Sequence, residues 1–238
     1  MAPDVCRGRP VFRARLATRP ADIDAALALR HEIYVRRMKI LPEDHEYVDN
    51  GRLVDPLDAT SHHLLLWADD EVVGTARFTC ARESRLEIED VRDVSPWLAD
   101  RDPVCEVTRL MILKEYRCWP ASMELFWGFW KAFQTLGVHQ VLAAGKVGSL
   151  GRYYEGFGLR VVDPEPFAYP VVPGATYQLM LADFGRPRSL RRTVYDRTFG
   201  LSYRLGSAVP GLVTSVYRRG RRNRHISQPE VALSGGTP

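Results

Sequence analysis

Between Pro103 and Gly145 the chain runs through three segments that together restrict its fold. "PVCEVTRLMIL" is dominated by Val, Thr, Ile and Leu and reads as a buried strand. "ASMELFWGFWKAFQTLG" is a strongly apolar helix, and Gly137 supplies its C-terminal stop. "VHQVLAAG" is a strand again. Upstream, "HHLLLWAD" and "EVVGTARFTCA" flank Asp69-Asp70 and predict a hairpin. Downstream, "VGSLGRYYEGFG" predicts a short helix closed by Gly158, followed by strands in "LRVVDP" and "TYQLMLADF". A further helix is expected from Asp22 to about Met38, capped by Thr18 or Asp22. Residues 84–102 show no clear period. The expected class is mixed α/β: a partly antiparallel central sheet with helices on both faces.

The chain has 238 residues, 45% hydrophobic and 26% charged, which suits a globular domain with a sizeable core. No run of 18 apolar residues predicts a spanning helix, and the N-terminus has no apolar block of the secretory type. The cysteines Cys6, Cys80, Cys105 and Cys118 form no C-x-x-C pair and read as free thiols of a reducing cytoplasm. The net charge of +4 hides an asymmetry. Residues 185–238 hold eleven Arg, no Lys and two acids, giving +9, so residues 1–184 carry −5. The chain divides into a domain over 1–184 and an Arg-rich, partly disordered C-terminal extension over 185–238. Such an extension seeks an acidic partner or a membrane surface. No helix-turn-helix or RNA-binding signature accompanies it, so no specific nucleic acid is expected.

The charges inside apolar segments need a reason. "CEVTRLMI" places Glu106 and Arg109 three apart in a strand, where they would face opposite sides unless a bulge near Val107 or Thr108 turned one of them. Arg77 sits mid-strand in "GTARF". Arg30 and Tyr34 lie four apart on one helix face, and Asp55 and Asp58 three apart in the polar stretch 40–61. That stretch is a long loop, of a length that is usually functional. A buried ion pair is a weak source of stability, so Glu106 and Arg109 either satisfy each other at a strand edge or carry a role beyond structure.

In order these positions read Arg-x3-Tyr, Asp-x2-Asp, Arg, Glu-x2-Arg. With "LRHEIYV", "VDPLDATSHHLLL", "EVVGTARFT", "CEVTRLMI" and "YYEGFGLRVV", the chain resembles the acyl-homoserine-lactone synthases and the long-chain N-acyl amino acid synthases of the GNAT acyltransferase superfamily over roughly 25–182. The resemblance implies a GNAT-like sheet split by a cleft. "VRRMKIL" lacks the Trp that lactone synthases carry after the first-helix aromatic, and the Leu-Pro-Thr segment after the strand arginine is replaced by "FTCARESRLEIEDV". These departures favour the N-acyl amino acid side. The glycine-rich phosphate cradle common in GNAT enzymes is also absent from "KEYRCWPASMEL", where amides at the helix start are left to bind phosphate.

The activity so implied is N-acyl transfer of a fatty acyl group from an acyl-carrier-protein or coenzyme A thioester to a small amine such as an amino acid, with no cofactor and with acyl carrier protein as partner. In that reaction Glu106 is the candidate general base, Arg109 a catalytic neighbour and Tyr154 the general acid for the leaving thiolate, with Tyr153 beside it. Arg30, Tyr34, Asp55, Asp58 and Arg77 are candidate substrate-binding residues. Cys105 is a competing nucleophile. His62 and His63 lack a third ligand at useful spacing, so no metal is expected. The stripe Phe126, Trp127, Phe129, Trp130 and Phe133 packs a core or lines an acyl tunnel. The alternatives are an acyl-homoserine-lactone synthase using S-adenosylmethionine and a non-enzymatic membrane- or nucleic-acid-binding module. The expected location is the cytoplasm, with peripheral membrane contact through the basic extension.

Overall fold

A computed structural model describes residues 10–101, 103–148, 154, 158–169 and 174–184. In chain order the elements are β1 (Phe12–Leu16), α1 (Pro20–His31), β2 (Val48–Asp49), β3 (Arg52–Leu53), β4 (His62–Ala68), β5 (Glu71–Cys80), β6 (Val104–Ile112), α2 (Trp119–Leu136), β7 (Gln140–Lys146), β8 (Arg160–Ala168) and β9 (Thr176–Asp183). β2 and β3 form a small hairpin inside the polar loop. The others build one seven-stranded sheet in the order β1-β4-β5-β6-β7-β9-β8. Every neighbour pair is antiparallel except β6 with β7. The expected short helix over 147–158 falls largely outside the described residues, as does the extension from 185 on.

α1 begins with Pro20, whose fixed φ suits the first turn. Its N-cap is Arg19, with no side-chain cap, in place of the expected Thr18 or Asp22. Asp22 lies inside the first turn, where it accepts from Arg19 at 2.8 Å and complements the helix dipole. The helix expected to reach Met38 continues as a π-helical stretch, Glu32–Arg37, closed by Met38 N–H donating to Ile33 C=O. Such wide turns gather at functional sites, and this one carries Tyr34.

α2 carries Pro120 in its first turn and is capped by Gly137, which adopts φ +69. Val138 then donates to Phe133 C=O at 2.8 Å, a turn that a side chain at 137 would strain. Gly128 allows α2 to lie close on the sheet, since a Cβ there would stand 2.5 Å from that of Ala14. The buried Glu124 fixes the docking by accepting the Ala14 N–H at 3.0 Å.

Strand alternation sorts the two helices onto opposite faces. Phe78 meets Phe129 and Phe133 of α2 at ring distances of 5.3 Å. Its neighbour Arg77 points the other way, as does its cross-strand partner His63, which contacts Arg30 of α1. On the α2 side the core gathers Leu64, Leu66, Phe78, Cys80, Cys105, Leu125, Phe129 and Phe133. On the other side Leu86, Ile88, Val104, Leu142, Tyr169, Leu179 and Leu181 pack together.

Two irregularities in β6 open the sheet. The parallel ladder with β7 contains Val104↔Gln140, Cys105↔Val141 and Glu106↔Leu142, and no ladder pair follows, although β6 runs on to Ile112 and β7 to Lys146. On its other edge the register with β5 jumps from Arg77↔Thr108 to Thr75↔Met111. The bulge therefore falls at Arg109 and Leu110, slightly beyond the expected Val107 or Thr108. Arg109 there adopts φ +51, a region that L-residues seldom enter.

Candidate active site

The bulge turns Arg109 to the face that already carries Glu106 and Thr108. Arg109 Nη2 donates to Asp55 Oδ2 at 3.0 Å and to Glu87 Oε1 at 2.9 Å, and so turns to these carboxylates rather than to Glu106. Arg77 donates to Thr108 Oγ1 at 3.0 Å and forms short contacts to Asp55 and Glu87. Arg30 donates to Asp58 Oδ1 at 2.6 Å and to His63 Nδ1 at 2.9 Å. Three guanidinium groups thus face three carboxylates, all buried or nearly so.

Asp55 and Asp58 also cap the 3-10 turn Pro56–Thr60. Asp55 accepts from Leu57 N–H at 3.0 Å, and Asp58 accepts the Asp55 N–H at 2.8 Å. The turn role and the arginine-bracing role coexist in these two residues. Burial works against the Asp55 carboxylate, but Arg77 and Arg109 outweigh it and hold its pKa below the ordinary range. Burial pushes the Tyr34 hydroxyl up, although Arg109 and Arg30 lie close enough to oppose it.

Glu106 is fully buried at the last rung of the β6–β7 ladder. Its Oε2 accepts from the backbone N–H of Glu87 at 2.7 Å and of Ile88 at 3.3 Å, and its Oε1 accepts from the Tyr169 hydroxyl at 2.8 Å. Burial and then the Glu87 charge raise its pKa to about 7, against the Tyr169 hydrogen bond and the Arg77 charge. A carboxyl group held there exchanges a proton readily near neutrality, as a general base must.

On the opposite, α2 face lies a mainly apolar cavity of about 650 Å³ with its mouth included. Its walls include Val107 and Leu110 of β6, Ala143 of β7, Phe129 and Phe133 of α2, and Tyr154. The parting of β6 and β7 places this cavity and the ionic cluster on the two sides of one cleft. Glu106 does not line the cavity, but its strand neighbour Val107 does. Tyr154 lines this cavity, and its neighbour Tyr153 lies outside the described residues.

Arg30, Asp55, Asp58, Arg77 and Arg109 are therefore assembled into one network, with Tyr34 beside it and Glu106 joined through Glu87. The sequence reading missed Glu87, Tyr169 and His63 as members. Glu87 had one signal: an acid between Leu86 and Ile88, both buried here. His63 is buried, with Nε2 left without a hydrogen-bond partner, and burial followed by the nearby Arg30 charge lowers its pKa to about 4. Burial pushes the Cys105 thiol up, which disfavours a nucleophilic role.

The model of the family described as "N-acyl amino acid synthase FeeM" matches residues 25–183. The chain belongs to this family. It is accordingly an N-acyltransferase with a GNAT-like fold. No match is found among curated proteins. Solved structures with the same fold include FeeM itself, an N-acyl amino acid synthase from uncultured soil microbes, at 15% identity and a TM-score of 0.57, covering 73% of this chain and 91% of that one. MesI, a CoA-dependent acyl-homoserine lactone synthase, aligns at 18% identity and a TM-score of 0.56, covering 79% and 95%. BjaI, another CoA-dependent acyl-homoserine lactone synthase, aligns at 22% and 0.55, covering 80% and 90%. No described helix is long and apolar enough to cross a membrane.

Proposed function

We propose that this family member moves a fatty acyl group from an acyl-carrier-protein or coenzyme A thioester to the amine of an amino acid or similar small acceptor. The observation that carries the reading is the position of Glu106, at the point where β6 and β7 part, between an apolar cavity and a charged cluster. The cavity receives the acyl chain, gaining about 0.8 kcal/mol per buried CH₂. The cleft brings the thioester carbonyl to β6, where the ladder has ended and backbone N–H groups are available to an oxyanion. The acceptor ammonium first gives up one proton to solvent, the neutral amine attacks the carbonyl carbon with its lone pair, and Glu106 takes the second proton from the nitrogen directly or through a water. The C–S bond then breaks, and Tyr154 protonates the departing sulfur.

In this scheme Arg30, Arg77 and Arg109 act first as a frame, because each already holds carboxylates of the protein. Arg109 and Tyr34 border the acceptor, and Asp55 and Asp58 set the edge on which its ammonium approaches. The +9 extension over 185–238 suits an acidic carrier protein as donor or an anionic membrane that takes up the product. Likeness in fold to MesI and BjaI supports a second reading, an acyl-homoserine-lactone synthase using S-adenosylmethionine. The same site suits it if the acceptor pocket admits an adenosine.

Mass spectrometry of lipid extracts from expressing cells separates the two. An acyl amino acid above a vector control supports the first reading, and an acyl lactone the second. If neither appears, and purified protein transfers no acyl group from either thioester to a panel of amines, both readings of the substrate fail.

A further inference from the structure

At the closed end of the sheet, away from the cleft, three side chains of different chemistry converge. His62 opens β4, Cys80 ends β5, and Glu83 lies in the turn that follows. His62 pairs with Phe78 across the β4–β5 ladder, so Cys80 is its diagonal neighbour on the same face. One donor atom from each of the three lies within 4.8 Å of the other two. His62 Nε2 is 2.9 Å from Glu83 Oε2, while Arg82 contacts the other Glu83 oxygen at 3.3 Å. The ion pair of His62 with Glu83, both about one-third exposed, is joined by a hydrogen bond between His62 and the buried Cys80 thiol, so imidazole, thiol and carboxylate meet at one point.

We infer that His62, Cys80 and Glu83 form a binding site for a divalent cation of the zinc class. A thiolate, an imidazole and a carboxylate together select zinc over calcium or magnesium, which prefer all-oxygen shells. Around tetrahedral zinc such ligand atoms lie roughly 3.3–3.7 Å apart. The 2.9 Å between His62 Nε2 and Glu83 Oε2 is shorter than this spacing, and rotation of the partly exposed Glu83 side chain would open it to admit the ion. A water would complete the fourth position, His62 and Glu83 both being partly exposed. Cys105, the cross-strand partner of Cys80, is fully buried and donates to the Glu106 carbonyl at 3.4 Å, and it is not counted as a ligand. The site ties the end of β5 to the segment that leads to Glu87 and Ile88, whose N–H groups hold Glu106. A bound ion would therefore brace the backbone behind the proposed base without touching the substrate. The sequence reading set a metal aside because the two adjacent histidines had no third ligand. They point to opposite faces, and the partners of His62 come from β5 and its turn.

The test is titration of the full-length, chelator-treated protein with Co(II), a spectroscopic stand-in for zinc, followed by zinc competition against a chromophoric chelator. The expected result is one equivalent of metal, with thiolate-to-cobalt charge-transfer absorption that is retained in Cys118→Ser and lost in Cys80→Ser. His62→Gln, at a partly exposed position that leaves the core intact, is expected to weaken zinc binding by at least roughly tenfold. Absence of the charge-transfer band, its persistence in Cys80→Ser, or wild-type affinity in His62→Gln would overturn the assignment.

Discussion

Glu87 donates its backbone N–H to Glu106 across 2.7 Å while its own carboxylate holds Arg77 and Arg109. One residue thus connects the proposed base to the arginine frame and also raises the base's pKa by its charge. Glu87→Gln keeps the backbone bond and removes the charge. The pH midpoint of acyl transfer is then expected to fall below about 7, because Glu106 ionises more easily beside a neutral neighbour and less-compensated arginines. A pH profile of kcat/KM checks this, and an unchanged or higher midpoint contradicts it.

Arg77 is fully buried and holds Asp55, Asp58, Glu87 and Thr108. Arg77→Met strands buried carboxylates, which costs about 3–5 kcal/mol. Arg37→Gln breaks the exposed pairs with Glu32 and Glu115 and costs roughly 1 kcal/mol or less. Urea unfolding of the two variants is expected to separate them by that margin.

Glu106 and His63 push the pH dependence of stability in opposite directions. The folded-state pKa of Glu106 lies near 7 against 4.5 unfolded, so its contribution is greatest below 4.5 and is lost as pH rises to 7. His63 stays neutral down to about 4 against 6.5 unfolded, so its contribution is present above 6.5 and is lost as pH falls to 4. Each amounts to a few kcal/mol, on the order of 1.4 per pH unit. Glu106→Gln is expected to leave a stability that rises with pH more steeply than wild type between 4.5 and 6.5. His63→Asn, whose side-chain oxygen still accepts from Arg30, is expected to show the opposite change. Denaturant midpoints across that range provide the check.

Ala143 lines the cavity from β7. Ala143→Leu fills part of it and is expected to shift donor preference toward shorter chains. Each excluded methylene would remove about 0.8 kcal/mol of binding. Transfer rates across a series of acyl lengths reveal the shift, and an unchanged preference would place the acyl chain elsewhere.

The strands from His62 to Cys80 and from Val104 to Ile112 were legible because apolar and β-branched residues dominate them. The charges within them marked Arg77, Glu106 and Arg109. β1 went unread because "FRARL" alternates arginines along a short edge strand, where one face remains wet. Glu87 went unread because its surroundings fold as short 3-10 turns, Glu87–Asp90 and Ser95–Trp97, with no period to detect. Tyr169 meets Glu106 across 63 residues, a contact that only the folded sheet creates. A bulge was expected from the need to bring Glu106 and Arg109 to one face. Its position depends on the positive φ of Arg109, which no local pattern announces.

The most direct measurement compares acyl transfer by purified wild-type and Glu106→Gln protein as a function of pH. The glutamine side chain can still accept from Glu87 and Ile88 and meet Tyr169, so the variant is expected to fold as wild type does. Wild-type rates should rise through an apparent pKa near 7, with Glu106→Gln slower by roughly 10²–10⁴-fold. A folded Glu106→Gln protein that transfers at the wild-type rate would contradict the account.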